Sequence, residues 1–292
     1  MELKITDLTK DFRKTCAVNQ VNYTFQNGVY GLLGVNGAGK TTLMRMLTTL
    51  LNPTSGKITW NGEDIFKMDK EYRRLLGYLP QDFGVYPDFS VYDYLMYIAT
   101  LKGINRTAAK VRAEEMLHLT GMTQFKNKKM KALSGGMKRR AGIAQAVLND
   151  PKILILDEPT AGLDPSERIR FRNLISELAS NRIVLLSTHI VSDVESVASQ
   201  IILMKNGEFV VTGTTDEVIA SSSDHVWSCH IPTNQMLHYH ETYRVSNVRT
   251  TAKGADLRIL SPESPMEGAV LEETTLEDVF LSYFGEKSGD EQ

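Results

Sequence analysis

Residues 34–41 read Gly34-Val35-Asn36-Gly37-Ala38-Gly39-Lys40-Thr41, between the apolar run Val29 to Leu33 and a helical pattern from Thr41 to Leu51 that stops at Asn52-Pro53. This strand, glycine loop and helix constrain the fold more than any other part of the chain. Glycines let the backbone curl so that successive N–H groups face one anion. A helix starting near Lys40 adds its positive end. In this context the GxxxxGK[ST] spacing predicts a triphosphate cradle. Lys40 then reaches the β- and γ-phosphates, the Thr41 hydroxyl is placed for Mg²⁺, and Thr42 adds a phosphate contact.

The surrounding pattern is α/β. LKITDL and VNYTF read as short N-terminal strands, KITWNG as a strand with a turn at Asn61-Gly62, and LLGYLPQ as a further short strand. From Val91 to about Gly121 apolar residues recur at three-to-four spacing, which predicts helices. KILILDEP and RIVLLSTH are short, nearly all-apolar runs ending in polar residues, the pattern of strands covered on both faces in a parallel sheet. IILMKNGEFVV predicts a hairpin across Asn206-Gly207. In KILILDEP two acids follow the apolar run: Asp157 at the strand end suits Mg²⁺ organisation, and Glu158, one residue further, suits polarising an attacking water.

Further motifs follow. Leu133-Ser134-Gly135-Gly136-Met137 precedes a helix that carries Lys138-Arg139-Arg140 in its first turns. Gln81 ends a short strand, Asp164 lies in EPTAGLD, and His189 ends RIVLLSTH. On these motifs the chain resembles the nucleotide-binding subunit of ATP-binding cassette transporters over residues 1–218. The expected fold is a P-loop NTPase with a mainly parallel central sheet, an antiparallel N-terminal β part, a helical lobe at about 82–145 and a small C-terminal α+β appendage.

The resemblance implies roles position by position. Gly34 to Thr42, including Asn36, Gly37, Ala38 and Gly39, would hold ATP and Mg²⁺. Phe12 falls where the family stacks an aromatic, most often Tyr, on adenine; the alternative is an aromatic packed in a strand turn. Val18 would add an apolar contact. Gln81 would contact Mg²⁺ or the water and report nucleotide state to a membrane partner. Ser134, Gly135 and Gly136 would bind the γ-phosphate of ATP held by a second copy. Glu158 would be the catalytic base, His189 would hold the γ-phosphate and Glu158, and Asp164 would sit at the dimer seam. Met137 replaces the more common Gln. A Ser-Gly-Gly helix start offers unpaired N–H groups to an anion without appeal to the family.

The implied partners are a second copy of the chain and a separately encoded membrane permease, which places the chain in the cytoplasm against the inner face of the membrane. Residues 86–91 and Tyr92, Tyr94 and Tyr97 lie where the family docks the permease, although simple helix packing is the reading preferred for at least two of the three tyrosines. Thr275 to Phe280 (TLEDVF) resembles the tail of bacterial drug, peptide-antibiotic and sodium exporters. The expected function is the ATP-hydrolysing subunit of an exporter. The alternatives are a soluble cassette ATPase of translation or DNA repair, and a regulatory nucleotide-binding module.

Composition sets limits. The 292 residues suggest two domains at about 150 each, read as 1–218, a linker at 219–224 and an accessory domain at 225–292 with a frayed tail after Gly285. Net charge is −2, which argues against a nucleic-acid binder. The stretch 124–140 carries seven Lys or Arg and no acid, and is read as a solvated face. Apolar runs fall far short of the ~20 residues that cross a bilayer, so no direct membrane insertion is expected, and the N-terminus has no signal core. Cys16 and Cys229 lack metal-ligand spacing and read as two reduced thiols. The segment TTLEDVFLSYF predicts a helix with a capping box from Thr274 to Glu277.

Overall fold

The computed structural model describes residues 1–285, which divide into two compact units, 1–210 and 211 onward. The expected tail after Gly285 lies outside the described residues.

In the first unit, β1 (Leu3–Phe12), β2 (Thr15–Phe25), β4 (Ser55–Trp60) and β5 (Glu63–Asp64) form an antiparallel sheet in the order β2-β1-β4-β5. Asn61 and Gly62 both have positive φ, and Trp60 pairs with Glu63, so the expected turn is a two-residue hairpin. The second sheet contains β3 (Gly28–Leu33), β6 (Leu76–Leu79), β7 (Ile153–Asp157), β8 (Ile183–Thr188), β9 (Gln200–Lys205) and β10 (Glu208–Gly213) in the order β10-β9-β3-β8-β7-β6. The run β9-β3-β8-β7-β6 is parallel. Every residue of β7 and β8 is buried, which is why both read as nearly all-apolar runs, polar only at their carboxyl ends. Asn206 and Gly207, again at positive φ, turn β9 into β10.

Register then places the chemistry. Leu33 lies opposite Thr188, and Asp157 opposite Ser187. The loops that leave the carboxyl ends of β3, β7 and β8 therefore emerge together, where ligands of open α/β sheets bind. Helix α1 (Lys40–Leu47) follows the glycine loop, and its Leu43, Met44, Met46 and Leu47 join the core between the two sheets. It ends earlier than Leu51, because the Thr48 hydroxyl bonds back to Met44 O and Thr49 has φ +60°.

Two short helices, α2 (Ile65–Met68) and α3 (Lys70–Arg74), precede β6. The helical lobe comprises α4 (Val91–Leu101), α5 (Arg106–Leu119) and α6 (Gly135–Ala146), which pack on one another. Ser90, Asn105 and Ser134 cap these helices by accepting the backbone N–H three residues on. Four of the seven basic residues meet acids of other segments: Lys126 pairs with Glu114, Lys129 and Lys131 with Asp88, and Arg140 with Glu167. Helices α7 (Pro165–Leu178) and α8 (Val191–Glu195) follow β7 and β8.

The second unit contains β11 (His225–Ile231), β12 (Arg244–Thr251), β13 (Gly254–Ser261) and β14 (Val270–Glu272) in an antiparallel sheet of order β12-β13-β11-β14, with α9 (Thr215–Ala220), α10 (Met236–Thr242) and α11 (Leu276–Phe284). The boundary falls eight residues before the expected 218. Thr214 caps α9, which packs on α11, so 215–220 belong to this unit and the expected linker begins inside a helix. The capping box of α11 runs from Thr275 to Asp278, one residue later than expected. Arg258 on β13 holds Asp278 at 2.7 Å and also reaches Glu272. Cys16 is exposed and Cys229 buried, and both are free.

Candidate active site

The glycine loop needs glycine for two different reasons. A Cβ at Gly34 would lie 2.4 Å from Met204 O, and one at Gly39 2.3 Å from Ala17 O, so backbone packs against both. Gly37 has φ +84° and nothing within 4 Å of a built Cβ, so it is required by conformation, with its open side facing the cleft. Gly39 is the N-cap of α1 and supplies no side-chain acceptor, which leaves N–H groups of the first turn unpaired.

Lys40 is buried, and its Nζ donates to Gly34 O at 2.6 Å and Val35 O at 3.2 Å. The ammonium lies 3.5 Å from Glu158 Oε1. Burial pushes the Lys40 amine below its ordinary pKa, and the attraction of Glu158 opposes that shift. Glu158 has φ +46°, a strained conformation for this residue type. The segment is clamped by Ser187, whose Oγ accepts Glu158 N–H at 3.0 Å and donates to Asp157 Oδ1 at 2.7 Å. Glu158 Oε2 lies 3.0 Å from His189 Nδ1. A carboxylate only accepts, so this nitrogen carries the proton.

Lys40 and Glu158 line one cleft of about 360 Å³ with Ala17, Asn36 to Gly39, Thr41, Thr42 and Gln81. Asp157, Ser187 and His189 reach it only through their contacts with each other and with Glu158. Asp157 is fully buried, and its Oδ2 has no hydrogen-bond partner; Glu158 Oε1 is likewise buried with none. The unpartnered Asp157 Oδ2, next to a cleft that presents the Thr41 hydroxyl and the Gln81 amide, makes an all-oxygen donor set, which suits a hard divalent cation. Among the described residues no cluster of three or more His, Cys, Asp or Glu is placed to hold a metal ion.

Other expected site residues lie elsewhere. Val18 is fully buried in the core between the sheets; its neighbour Ala17 lines the cleft instead. Lys10 pairs with Val18 but Asp11 with Cys16, so Ala17 is the extra residue of a β-bulge, which re-aims its side chain. Phe12 is 47% exposed at the end of β1, under the Lys10 ammonium, and does not line the cleft. Gln81 stands two residues beyond β6 rather than at its end. Ser134, Gly135 and Gly136 form the exposed or half-buried start of α6 and are not cleft residues. Asp164 caps α7, and the N–H of Glu167 holds its exposed carboxylate below the usual range.

Residues not expected from the sequence also matter. Besides Ala17 and Ser187, Arg139 on α6 donates to Pro80 O, the residue before Gln81. Of the three tyrosines on α4, Tyr94 is core, whereas Tyr92 and Tyr97 line a groove of about 580 Å³. Tyr97 also meets Tyr86 and Phe89 in an aromatic cluster.

A glycine loop with its buried lysine, facing a strand-end Asp-Glu pair and a histidine, defines a nucleoside-triphosphate-hydrolysing cassette. Residues 18–161 match the ABC transporter family. The chain is 40% identical over 227 residues to the ABC transporter ATP-binding protein YxlF of Bacillus subtilis, covering 77% of this chain and 75% of that one. It is 39% identical over 211 residues to the bacitracin transport ATP-binding protein BcrA of Bacillus licheniformis, covering 71% and 68%. A dimeric structure of a post-hydrolysis ATP-binding cassette bound to ADP and Pi superposes with TM-score 0.66 at 25% identity, covering 73% of this chain and 98% of that one. The chain therefore belongs to the ABC transporter family, as an ATP-binding ATPase subunit with the P-loop NTPase fold. No helix among the described residues is long and apolar enough to cross a membrane.

Proposed function

We propose that this chain powers an exporter by clasping ATP between two copies of itself, against a permease encoded separately. The observation that carries the hydrolytic part is the position of Glu158, whose carboxylate lines the cleft and reaches both Lys40 Nζ and His189 Nδ1. In this reading the N–H groups of Asn36 to Lys40 and the Thr42 hydroxyl hold the phosphates. Lys40, now bonded to Gly34 and Val35 carbonyls, swings onto the β- and γ-phosphates. Glu158 takes the proton of the attacking water, and His189 holds the carboxylate in line. Thr41, Gln81 and Asp157 would hold Mg²⁺, which draws charge from the phosphate oxygens.

The cleft is incomplete in one copy, because Ser134 and the two glycines that follow lie outside it. A head-to-tail pair brings that helix start onto the γ-phosphate bound by the partner, with Asp164 at the seam. ATP then stabilises the closed pair, and hydrolysis releases it. A relative named Nod factor export ATP-binding protein I, from Burkholderia lata and 36% identical over 217 residues, supports the export direction. The groove carrying Tyr92 and Tyr97, with exposed Tyr86 beside it, supports permease docking and so a position at the inner face of the membrane. Phosphate release by the purified chain with MgATP, and its loss in Glu158→Gln, is the test; undiminished release by that variant overturns the assignment.

A further inference from the structure

The start of α6 and the start of α7 lie side by side, joined by one acid. Glu167 is the third residue of α7, and its backbone N–H is already taken by the Asp164 cap. Its side chain leaves its own helix. Oε2 lies 3.4 Å from Arg140 Nε on α6, and both side chains are only 17% exposed. The second oxygen meets Arg170 at 3.3 Å, an i,i+3 pair on the surface that contributes little. On α6 the acid lies against Gly136: a Cβ there would sit 3.2 Å from the Glu167 carboxylate. Arg140 also reaches Gly121 O at the end of α5. Its Nε is buried without a hydrogen-bond partner, so the ion pair is what compensates it.

We propose that Glu167 is a positioning residue that ties the start of α6, with Ser134 and Gly136, to the segment running from Glu158 to Asp164. The inference rests on the ATP-clasp reading for its consequence, but the tie itself is a property of one copy. A half-buried ion pair between two elements fixes their relative placement, and loss of either partner strands the other charge. The missing side chain at position 136 is what allows the carboxylate to approach. Through this tie the helix start that is offered to a partner keeps a fixed relation to the strand end that carries Asp157 and Glu158.

Two variants separate this from a local charge effect at the α7 N-terminus. Glu167→Asp keeps an acid near the Asp164 cap but is one methylene too short to hold Arg140; Glu167→Gln keeps the reach and loses the charge. In the nucleotide-free chain, amide exchange at Met137 and Lys138 should rise about tenfold in both variants, with α5 unchanged. In a Glu158→Gln background, the ATP concentration that gives half dimer by sedimentation should rise about tenfold. The charge swap Arg140→Glu with Glu167→Arg should recover most of both effects. In the Glu158-intact chain the half-saturating ATP concentration rises while saturated turnover stays within about twofold. Wild-type exchange in Glu167→Asp overturns the tie, whatever the dimer does. Exchange altered as expected, with no ATP-dependent dimer in Glu158→Gln alone, overturns the clasp reading and leaves the tie standing.

Discussion

Ser187→Ala tests the least visible part of the site. The Ser187 hydroxyl is fully buried and serves two groups at once, accepting from Glu158 N–H and donating to Asp157 Oδ1. Its removal leaves a buried amide donor and a buried carboxylate oxygen unpaired, at about 1–3 kcal/mol each, or roughly 2–6 kcal/mol together. Asp157 Oδ2 already lacks a partner, so the carboxylate has little to fall back on. For a unit of about 200 residues, at about 2–4 °C per kcal/mol, the melting temperature should drop by roughly 4–24 °C. Glu158, held at positive φ by this bond, should lose its aim, and turnover should fall at least about tenfold by the scale of general-base contributions. Thermal unfolding by circular dichroism and a phosphate-release assay read the two effects. A shift under about 2 °C with full turnover would refute the clamp, since an unpaired pair of buried groups cannot be that mild.

Glu158→Gln should lower phosphate release by about 10²–10⁴-fold while ATP still binds, measured by steady-state release and equilibrium dialysis. Gly39→Ala should abolish ATP binding in a titration, because its Cβ would lie 2.3 Å from Ala17 O at φ +106°; retained affinity would show that the loop shifts freely. Asp278→Asn breaks a largely buried pair with Arg258 and should destabilise the second unit by about 3 kcal/mol, read by denaturant unfolding followed at Trp227. Burial alone raises the Asp278 carboxyl, but hydrogen bonds from Arg258 and Thr275 outweigh it, so the folded pKa lies below the unfolded one. Its stabilisation is therefore complete above the ordinary carboxylate value near ~4 and is lost as pH falls through the depressed one. The wild-type second unit should weaken more steeply than Asp278→Asn on acidification below pH ~4.

Much of the site is written in local chemistry. The glycine spacing, the acids after an all-apolar strand and the serine before Gly-Gly each carry their physical reason within a few residues, and β3, α1, β7 and α6 stand where those signals put them. What the sequence hides depends on register or on distant contacts. Ala17 rather than Val18 faces the cleft because a bulge shifts the phase of β2, and no local pattern announces it. Ser187 reads as a strand-end serine until β8 pairs with β7 and brings it opposite Asp157. The domain boundary moves to 210 because α9 packs on α11, some sixty residues downstream. Thr275 caps α11 in place of Thr274, a one-residue choice between two adjacent threonines that only the backbone geometry decides.

The central claim is that the glycine cradle and the serine-glycine helix start belong to one nucleotide but to two copies of the chain. A crystal structure of Glu158→Gln with ATP and magnesium tests it most directly. The expected result is a γ-phosphate contacted by Lys40 of one copy and by Ser134 and Gly136 of the other. A γ-phosphate enclosed by a single copy, with the second helix start turned to solvent, would contradict it.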